Sequence, residues 1–323
     1  MRKVLLTGAT GFIGRHCLRA LVAAGGSFDE VHAVSTRGDA CDSAREPAVD
    51  FNSAATKASV VRWHRANLLS NEDVQRVLAE VQPSHLLHLA WYAEPGKYWT
   101  SPVNEEWLRA SERLLREFVE RGGERVVVAG TCAEYDWNDG GYCSERATRL
   151  APATLYGKCK DALRNALEEL ARDTGLSAAW GRIFFLYGTH EHPQRLVASV
   201  IRSLLREEVA RCTHGEQLRD FLYVQDVADA FVALLESDVR GAVNIASGEV
   251  VNLKTVIERI AEKLDRPHLI RLGALPAPAG EPKLLAADVS RLRDEVRWSP
   301  RYTLDAGLEA TINWWRAQPD SVA

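Results

Sequence analysis

The sequence predicts an α/β protein whose helices cover both faces of a doubly wound, mostly parallel sheet. Over the first two-thirds of the 323 residues, short apolar runs alternate with longer amphipathic stretches, which is typical of parallel sheets with crossover helices. A glycine-rich turn directly follows the first apolar run. From about Gly188, single helices are separated by short strands, and this change indicates a smaller second domain interleaved with the first.

The elements of the first domain follow each other in a regular order. Short runs rich in leucine or β-branched residues predict strands at residues 4–7, 31–35, 60–64, 85–90, 126–130 and 177–185. Amphipathic stretches predict helices at residues 13–24, 71–81, 105–121 and 154–174. Residues 37–59 are rich in Ala, Asp, Ser and Asn, and they predict an exposed loop after the second strand.

The chain after about residue 188 follows a different pattern. Helices are expected at residues 196–207, 224–235 and 253–264, and a Pro/Ala/Gly-rich stretch follows at residues 276–282. We expect the first domain to comprise residues 1–187 and about 219–240. The second domain is expected to comprise residues 188–218 and 241–323.

Composition excludes several classes of protein. Lysine and arginine number 40, and aspartate and glutamate number 44, giving a formal net charge of −4, whereas nucleic-acid-binding proteins normally carry a basic excess. The chain shows neither the roughly 18 consecutive apolar residues of a membrane span nor the apolar core of a signal peptide. Its six cysteines lie at positions 17, 41, 132, 143, 159 and 212. Their spacing does not match a zinc site, and they fit a protein of a reducing compartment. We therefore expect a cytoplasmic protein without metal, nucleic acid or membrane partners.

The glycine turn lies between the first strand and the first helix. Gly8, Gly11 and Gly14 are spaced three apart, as GxxGxxG rather than the GxGxxG of the common dehydrogenases. Glycines at such a corner let the backbone approach a pyrophosphate, whose charge is stabilised by the helix N-terminus. A tight turn without a ligand is the alternative, but the flanking strand and helix both favour dinucleotide binding.

The end of the second strand bears on which dinucleotide binds. An acidic residue normally accepts the ribose hydroxyls of NAD there, but this chain has Ser35-Thr36-Arg37, and Asp39 comes later. A guanidinium matches the geometry of a 2′-phosphate, and Arg15 could add charge. The sequence therefore favours NADP(H), with NAD still possible; the alternative is that Arg37 is a solvated loop residue.

Tyr156, Lys160 and Thr131 form a candidate catalytic group. Tyr156 and Lys160 are four residues apart, so on a helix they share one face. A nearby ammonium favours the phenolate of a tyrosine, whose ordinary pKa near 10 is high for proton exchange at neutral pH. Thr131 follows the strand at residues 126–130 and could hydrogen-bond the same substrate oxygen. An exposed helical pair is the alternative when this spacing occurs alone.

These features resemble the extended short-chain dehydrogenase/reductase family, in its branch of nucleotide-sugar epimerases, dehydratases and reductases. The resemblance covers nearly the whole chain. Beyond the glycines and the Tyr156/Lys160 pair, it rests on His88-Leu89-Ala90, Arg182, Tyr187-Gly188, the block GEQLRDFLYVQDVA at residues 215–228, Asn244 to Gly248, and Trp298-Ser299-Pro300.

The resemblance implies a Rossmann-like cofactor domain and a smaller domain that holds a nucleoside-diphosphate sugar. It implies that Tyr156 exchanges a proton with the sugar oxygen, Lys160 orients the nicotinamide ribose and tunes Tyr156, and Thr131 polarises the oxygen. The implied cofactor contacts are Gly8, Gly11, Phe12, Ile13, Gly14, Ser35, Thr36, Arg37, Asn67, Leu68, Leu89, Ala90, Tyr156 and Lys160. The implied substrate contacts are Thr131, Cys132, Phe185, Arg219 and Lys283.

Arg219 is the diphosphate ligand that the resemblance implies. The alternative is a surface salt bridge from Arg219 to Asp220 or Asp226. The resemblance also implies a homodimer formed through two long helices, at about residues 104–121 and 154–174.

Departures from the family pattern narrow the expected chemistry. The family's dehydratases carry an acidic pair after the threonine, where this chain has Cys132 and Ala133. Glu134 comes one place later and is expected to point elsewhere, because neighbours on an extended chain alternate sides. Dehydration is therefore disfavoured. Cys132 or Cys143 could act as an epimerising base, but the favoured interpretation is that each is an inert buried thiol.

The sugar pocket is expected to be unusual. Phe185 and Trp107 occupy positions where the family usually has asparagine. An aromatic cluster follows the fourth strand and could stack on a sugar or base, or form a packed lid: Trp91, Tyr92, Tyr98 and Trp99. His190 and His192 are separated by one residue in a loop, which lacks the i, i+4 spacing of a helical metal site.

Three functions fit these observations. The first is an NADPH-dependent reductase of a nucleoside-diphosphate 4-keto-6-deoxy sugar, similar to 4-ketoreductases of the family. The second is an NAD-dependent 4-epimerase of a nucleoside-diphosphate hexose. The third is a nucleotide-sensing regulator on the same fold, which the retained Thr131, Tyr156 and Lys160 disfavour. The residues that end the second strand favour the reductase, because they favour NADP(H) over NAD.

Overall fold

The computed structural model describes residues 1–23, 27–37, 60–139, 141–277 and 280–318. The strands are β1 (Lys3–Thr7), β2 (Glu30–Ser35), β3 (Val60–Arg65), β4 (His85–His88), β5 (Arg125–Thr131), β6 (Gly141–Cys143), β7 (Ser177–Ile183), β8 (Phe185–Tyr187), β9 (Ala210–Arg211), β10 (Leu218–Tyr223), β11 (Gly241–Ile245), β12 (Val250–Asn252), β13 (Ile270–Arg271) and β14 (Leu284–Ala287). The helices are α1 (Phe12–Ala23), α2 (Asn71–Val81), α3 (Val103–Glu120), α4 (Leu155–Thr174), α5 (Leu196–Leu205), α6 (Val224–Glu236), α7 (Leu253–Lys263) and α8 (Leu304–Arg316).

A seven-stranded sheet with the order β3-β2-β1-β4-β5-β7-β11 contains the first strands of the chain. The pairs β1–β2, β2–β3, β1–β4 and β4–β5 are parallel. Strand order reverses at β1, as in doubly wound folds, and the predicted α/β class is confirmed. Helices α2, α3 and α4 bury apolar side chains against this sheet, among them Leu78, Leu114, Phe118 and Leu163.

Local signals explain where α4, the helix that carries Tyr156, begins and ends. The side chain of Thr154 accepts a hydrogen bond from the Gly157 amide at 3.1 Å, capping the first turn. Gly175 ends the helix with φ of 78°, a conformation that favours glycine. The observed bounds, 155–174, therefore lie within one residue of those predicted.

The second sheet has the order β12-β10-β14-β6, and β8 also pairs with β10. Contacts divide the chain into a first unit of residues 1–134, 152–182 and 228–243 and a second unit of residues 135–151, 183–227 and 244–323. Residues 135–151, 183–187 and 219–227 therefore belong to the second unit, although the sequence placed them in the first domain, and residues 241–243 belong to the first unit. The reason is strand pairing, because β8 and β10 hydrogen-bond to each other and β10 pairs with β12 and β14.

Among the described residues, no helix combines the length and the apolar character needed to cross a membrane.

His88 at the end of β4 predicts a loss of stability in acid. Its ring lies between the hydroxyls of Thr7, at 2.7 Å, and Ser111, at 2.9 Å. Burial, with a smaller effect of Lys160, lowers the pKa of His88 to about 3. A lowered histidine pKa means that the folded state favours the neutral ring, so stability present above the unfolded pKa of about 6.5 is lost as pH falls.

We expect this group to remove about 2 kcal/mol of unfolding free energy between pH 7 and pH 5. Urea denaturation of wild type and His88→Gln at both pH values measures the difference. The exposed His268 provides the control, His268→Gln. If His88→Gln retains the full pH dependence, His88 is not its source.

Candidate active site

The corner between β1 and α1 is built from close backbone contacts. Gly8 has φ of 71°, and the Gly11 amide donates to its carbonyl at 2.9 Å. A Cβ atom on Gly8 would lie 2.8 Å from the Ala90 nitrogen, and one on Gly14 would lie 1.9 Å from the Gly8 oxygen. Gly11 is exposed at the start of α1, where the first amides lack partners within the helix. The residues at this corner therefore fit a dinucleotide diphosphate.

The other predicted cofactor contacts at this sheet follow the ends of β2, β3 and β4. Ser35 is buried, and its hydroxyl accepts from the Arg37 amide at 3.2 Å. Thr36 and Arg37 are exposed, as is Asn67 after β3. The carboxyl ends of neighbouring parallel strands meet at one sheet edge, where ligands bind in such folds. The structure thus places these residues at the edge that holds the glycine corner.

Hydrogen bonds and packing between groups of the protein itself stabilise this edge of the sheet. The hydroxyl of Thr7 accepts from the amides of Leu89 and Ala90 at 3.2 and 3.3 Å. Leu68 is buried. Arg15 donates to the Thr10 carbonyl at 3.0 Å, so it packs on the glycine turn. Asp39 lies outside the described residues.

Thr131, Tyr156 and Lys160 come together in the first unit. Thr131 is the last residue of β5, and its side chain lies near enough to Tyr156 to favour the ionised phenol. Gly157 lets α4 approach closely, because a Cβ atom there would lie 2.5 Å from the Ala133 carbonyl. Lys160, one turn further, is buried and donates to the Ala129 carbonyl at 2.9 Å. The predicted group is therefore assembled around the end of β5.

Burial dominates the protonation of this group. It raises the pKa of Tyr156 above its usual range, Tyr98 adds to the increase, and the Thr131 side chain opposes it. Burial also lowers the pKa of Lys160 to about 7, against an opposing effect of Glu134. The sequence led us to expect that Lys160 would lower the pKa of Tyr156. In the structure the direction is opposite, because desolvation of the phenolate is the larger effect.

Glu134 forms a fully buried polar centre behind Thr131. Its carboxylate accepts from the Thr131 amide at 2.8 Å, from the Trp180 indole at 2.9 Å and from Arg182 at 2.7 Å. Residues Cys132–Glu134 form a 3₁₀ turn, so the expected alternation of an extended chain is wrong here. The turn directs Glu134 into the interior, where it supports Thr131.

The aromatic cluster packs against the candidate catalytic side chains. The rings of Tyr98 and Trp99 lie nearly perpendicular to the Tyr156 ring, with centroids 4.9 and 5.8 Å away. The Trp99 carbonyl also accepts from the Tyr156 amide at 3.1 Å. Trp91 lies next to Lys160, and Tyr92 donates to Glu94 at 3.0 Å. The cluster thus forms an apolar wall beside the phenol.

Arg219, Phe185 and Lys283 lie in the second unit. Arg219 is buried, pairs with Glu281 at 2.7 Å and lies 5.3 Å above the Phe185 ring centroid. Lys283 is exposed, and its carbonyl accepts from the Leu218 amide at 2.7 Å. The sequence did not single out Glu281, although it lies two residues before Lys283. Thr131 and Cys132, the other predicted substrate contacts, lie in the first unit.

The proposed surface salt bridges of Arg219 are wrong. Asp220 accepts from the Ser247 amide at 2.8 Å. Asp226 accepts from the amides of Arg301 and Tyr302, both at 3.0 Å. Both carboxylates are buried structural acceptors, so Glu281 is the partner instead.

His190 and His192 make separate contacts. The His190 ring lies 4.5 Å from that of Trp314, and His192 accepts from the Gln194 amide at 3.2 Å. Within the described part of the chain, no group of three or more His, Cys, Asp or Glu side chains is arranged to hold a metal ion.

Comparison with known proteins adds one family match, two relatives and one solved structure. The pattern of the NAD dependent epimerase/dehydratase family matches residues 4–246. The chain is 25% identical to a UDP-glucose 4-epimerase of Rhizobium meliloti, covering 96% of both chains, and 27% identical to a dTDP-4-dehydro-6-deoxy-D-allose reductase of a Streptomyces species, covering 98% of this chain and 96% of that one. The solved structure of MoeE5 in complex with UDP-glucuronic acid and NAD is 31% identical, with a TM-score of 0.77 over 97% of this chain and 99% of that chain.

Proposed function

Because the chain belongs to the NAD dependent epimerase/dehydratase family, we propose that it is an NADPH-dependent reductase of a nucleoside-diphosphate 4-keto-6-deoxy sugar. The product is the corresponding 6-deoxy sugar nucleotide. When bound, the cofactor supplies the hydride that adds to the keto carbon. The chain supplies the proton that completes the new hydroxyl.

The partly buried phenol of Tyr156, next to Thr131 and enclosed by Tyr98 and Trp99, is the observation that carries this proposal. A ketone reductase requires a proton donor at the carbonyl oxygen, and burial keeps the pKa of Tyr156 above its usual range. The phenol is therefore protonated at neutral pH. In an epimerase the same group must first accept a proton and then return it, so a raised phenol pKa favours the one-way reduction. Proton donation by Tyr156 leaves a phenolate, which regains its proton from water.

Other residues bind and orient in this proposal. Thr131 holds the carbonyl oxygen beside Tyr156, and the ammonium of Lys160 orients the nicotinamide ribose. The glycine corner at Gly8 receives the cofactor diphosphate, and Arg37 receives a 2′-phosphate. Arg219 receives the diphosphate of the sugar nucleotide. The Streptomyces reductase supports this substrate class.

A 4-epimerase that holds NAD is the second candidate. The Rhizobium epimerase is about as similar to this chain as the reductase is. The solved structure of MoeE5 is a complex with UDP-glucuronic acid and NAD. Tightly bound NAD extracted from the purified protein supports the epimerase, whereas empty or NADP-containing protein supports the reductase.

The direct test combines the purified protein with dTDP-, CDP- or GDP-linked 4-keto-6-deoxyhexoses and NADPH. We expect the nicotinamide absorbance to fall with at least one of them and more slowly with NADH, because Arg37 suits the 2′-phosphate. Product analysis by mass spectrometry should show a gain of two hydrogens. Failure of every ketosugar to oxidise either cofactor, together with interconversion of UDP-hexose epimers, would establish the second candidate.

A homodimer through α3 and α4 and a cytoplasmic location stay predictions from the sequence.

A further inference from the structure

Trp91 contacts the ammonium of Lys160 directly. It follows Ala90 in the segment after β4, and the Lys160 Nζ atom lies 3.9 Å from the centroid of its ring. This separation lies within the range of cation–π contacts, which are strongest for tryptophan and for desolvated cations. Lys160 is only 3% exposed. The indole face and the Ala129 carbonyl, at 2.9 Å, together fix the position of the ammonium.

Asn104 in the first turn of α3 fixes the orientation of that indole. Its side-chain oxygen accepts from the Trp91 Nε1 atom at 2.8 Å. Its side-chain nitrogen donates to the carbonyls of Tyr98 and Ser101 at 2.7 and 2.8 Å. Asn104 is fully buried, so these bonds replace those it would make with water. The ring of Trp107 packs nearby, with its centroid 6.4 Å from that of Trp91.

Few ionisable groups near Lys160 favour its charged form. Glu134, in the turn after β5, favours the charged form of Lys160, but burial opposes it and lowers the pKa of Lys160 to about 7. His88, at the end of β4, interacts with the ammonium and is itself held neutral by a pKa lowered to about 3. Tyr156 lies one turn before on α4 and is protonated. A further favourable contact at Lys160 therefore affects its charge at neutral pH.

We propose that Trp91 is a positioning residue for Lys160, with its indole face holding the ammonium in place and charged, and Asn104 holding the indole. The role for Lys160 in catalysis rests on the proposed function. The contact between Trp91 and Lys160 does not depend on that function, because both side chains belong to this chain.

The test measures the titration of Lys160 in the full-length protein without substrate, by NMR of ¹³C-labelled lysine. The Lys160→Arg variant assigns the signal. We expect Trp91→Leu to lower the pKa of Lys160 by about half a unit to one and a half units. Trp91→Phe, which keeps an aromatic face, should retain most of the wild-type value. The matched control is Trp107→Leu, which removes a neighbouring indole that does not cover the ammonium, and it should leave the titration unchanged.

Fluorinated tryptophan at position 91 serves if Trp91→Leu does not fold, because fluorine weakens the attraction of the ring for cations while preserving its shape. The pKa of Lys160 should then fall as fluorines are added. An unchanged titration in the folded Trp91 variants, or an equal change in Trp107→Leu, overturns the proposal. If the Trp91 variants shift the pKa of Lys160 as expected but the protein reduces no ketosugar, only the proposed function is overturned.

Discussion

Replacing Tyr156 by phenylalanine is expected to reduce turnover about 10²- to 10⁴-fold, which is the usual contribution of a positioned acid or base. The substitution removes one hydroxyl from a ring held by Tyr98 and Trp99, so packing should be preserved. Dinucleotide binding should also be retained, because the glycine corner is unchanged. Steady-state ketosugar reduction and calorimetric titration with NADPH measure the two effects separately.

Tyr142→Phe is the matched control for this prediction. Tyr142 is 58% exposed and lies in β6 of the second unit, so loss of its hydroxyl should leave turnover unchanged. Equal turnover in wild type and Tyr156→Phe would remove Tyr156 from the mechanism. Loss of NADPH binding in Tyr156→Phe would instead indicate a structural role for the phenol.

Glu134→Ala is expected to lower the unfolding free energy by about 3–5 kcal/mol, the usual cost of removing one partner from a buried ion pair. Arg182 is 1% exposed and would be left without the carboxylate 2.7 Å from its Nε atom. The Trp180 indole and the Thr131 amide would lose an acceptor as well. Chemical denaturation compared with Glu208→Ala, at an exposed site, measures the difference.

A paired replacement separates charge from packing at this centre. Glu134→Leu combined with Arg182→Met removes both charges, and apolar replacement of a buried pair is often nearly neutral. The double variant should therefore be more stable than Glu134→Ala. If Glu134→Ala unfolds at the wild-type denaturant concentration, the buried pair does not stabilise the fold.

Most of the fold and the candidate catalytic group could be predicted because their signals are local. The glycine turn and the Tyr156/Lys160 spacing each lie within a few consecutive residues. Strand bounds were off by one or two residues where a strand leads into a functional turn. For example, β4 ends at His88 rather than at residue 90, and β5 includes Thr131.

Contacts between distant segments could not be predicted. The Arg219–Glu281 pair depends on β10 lying parallel to β14, in a register that pairs Leu218 with Leu284. The burial of Glu134 depends on a 3₁₀ turn and on two partners in β7. The raised pKa of Tyr156 likewise reflects the surrounding aromatic side chains, which follow β4 and are distant in sequence.

The corner after β1 also has a consequence for how this chain can diverge. Gly8 is required by the backbone of Leu89 and Ala90 after β4, and Gly14 by the backbone of Gly8 and Ala9, whereas a Cβ atom on Gly11 would meet only the Gly8 oxygen, at 3.1 Å. A descendant that stopped using a nucleotide would still need the outer two glycines in order to fold. In such a descendant, Gly11 would therefore be replaced before Gly8 or Gly14. A chain that keeps only Gly8 and Gly14 gives evidence of common ancestry but not of nucleotide binding.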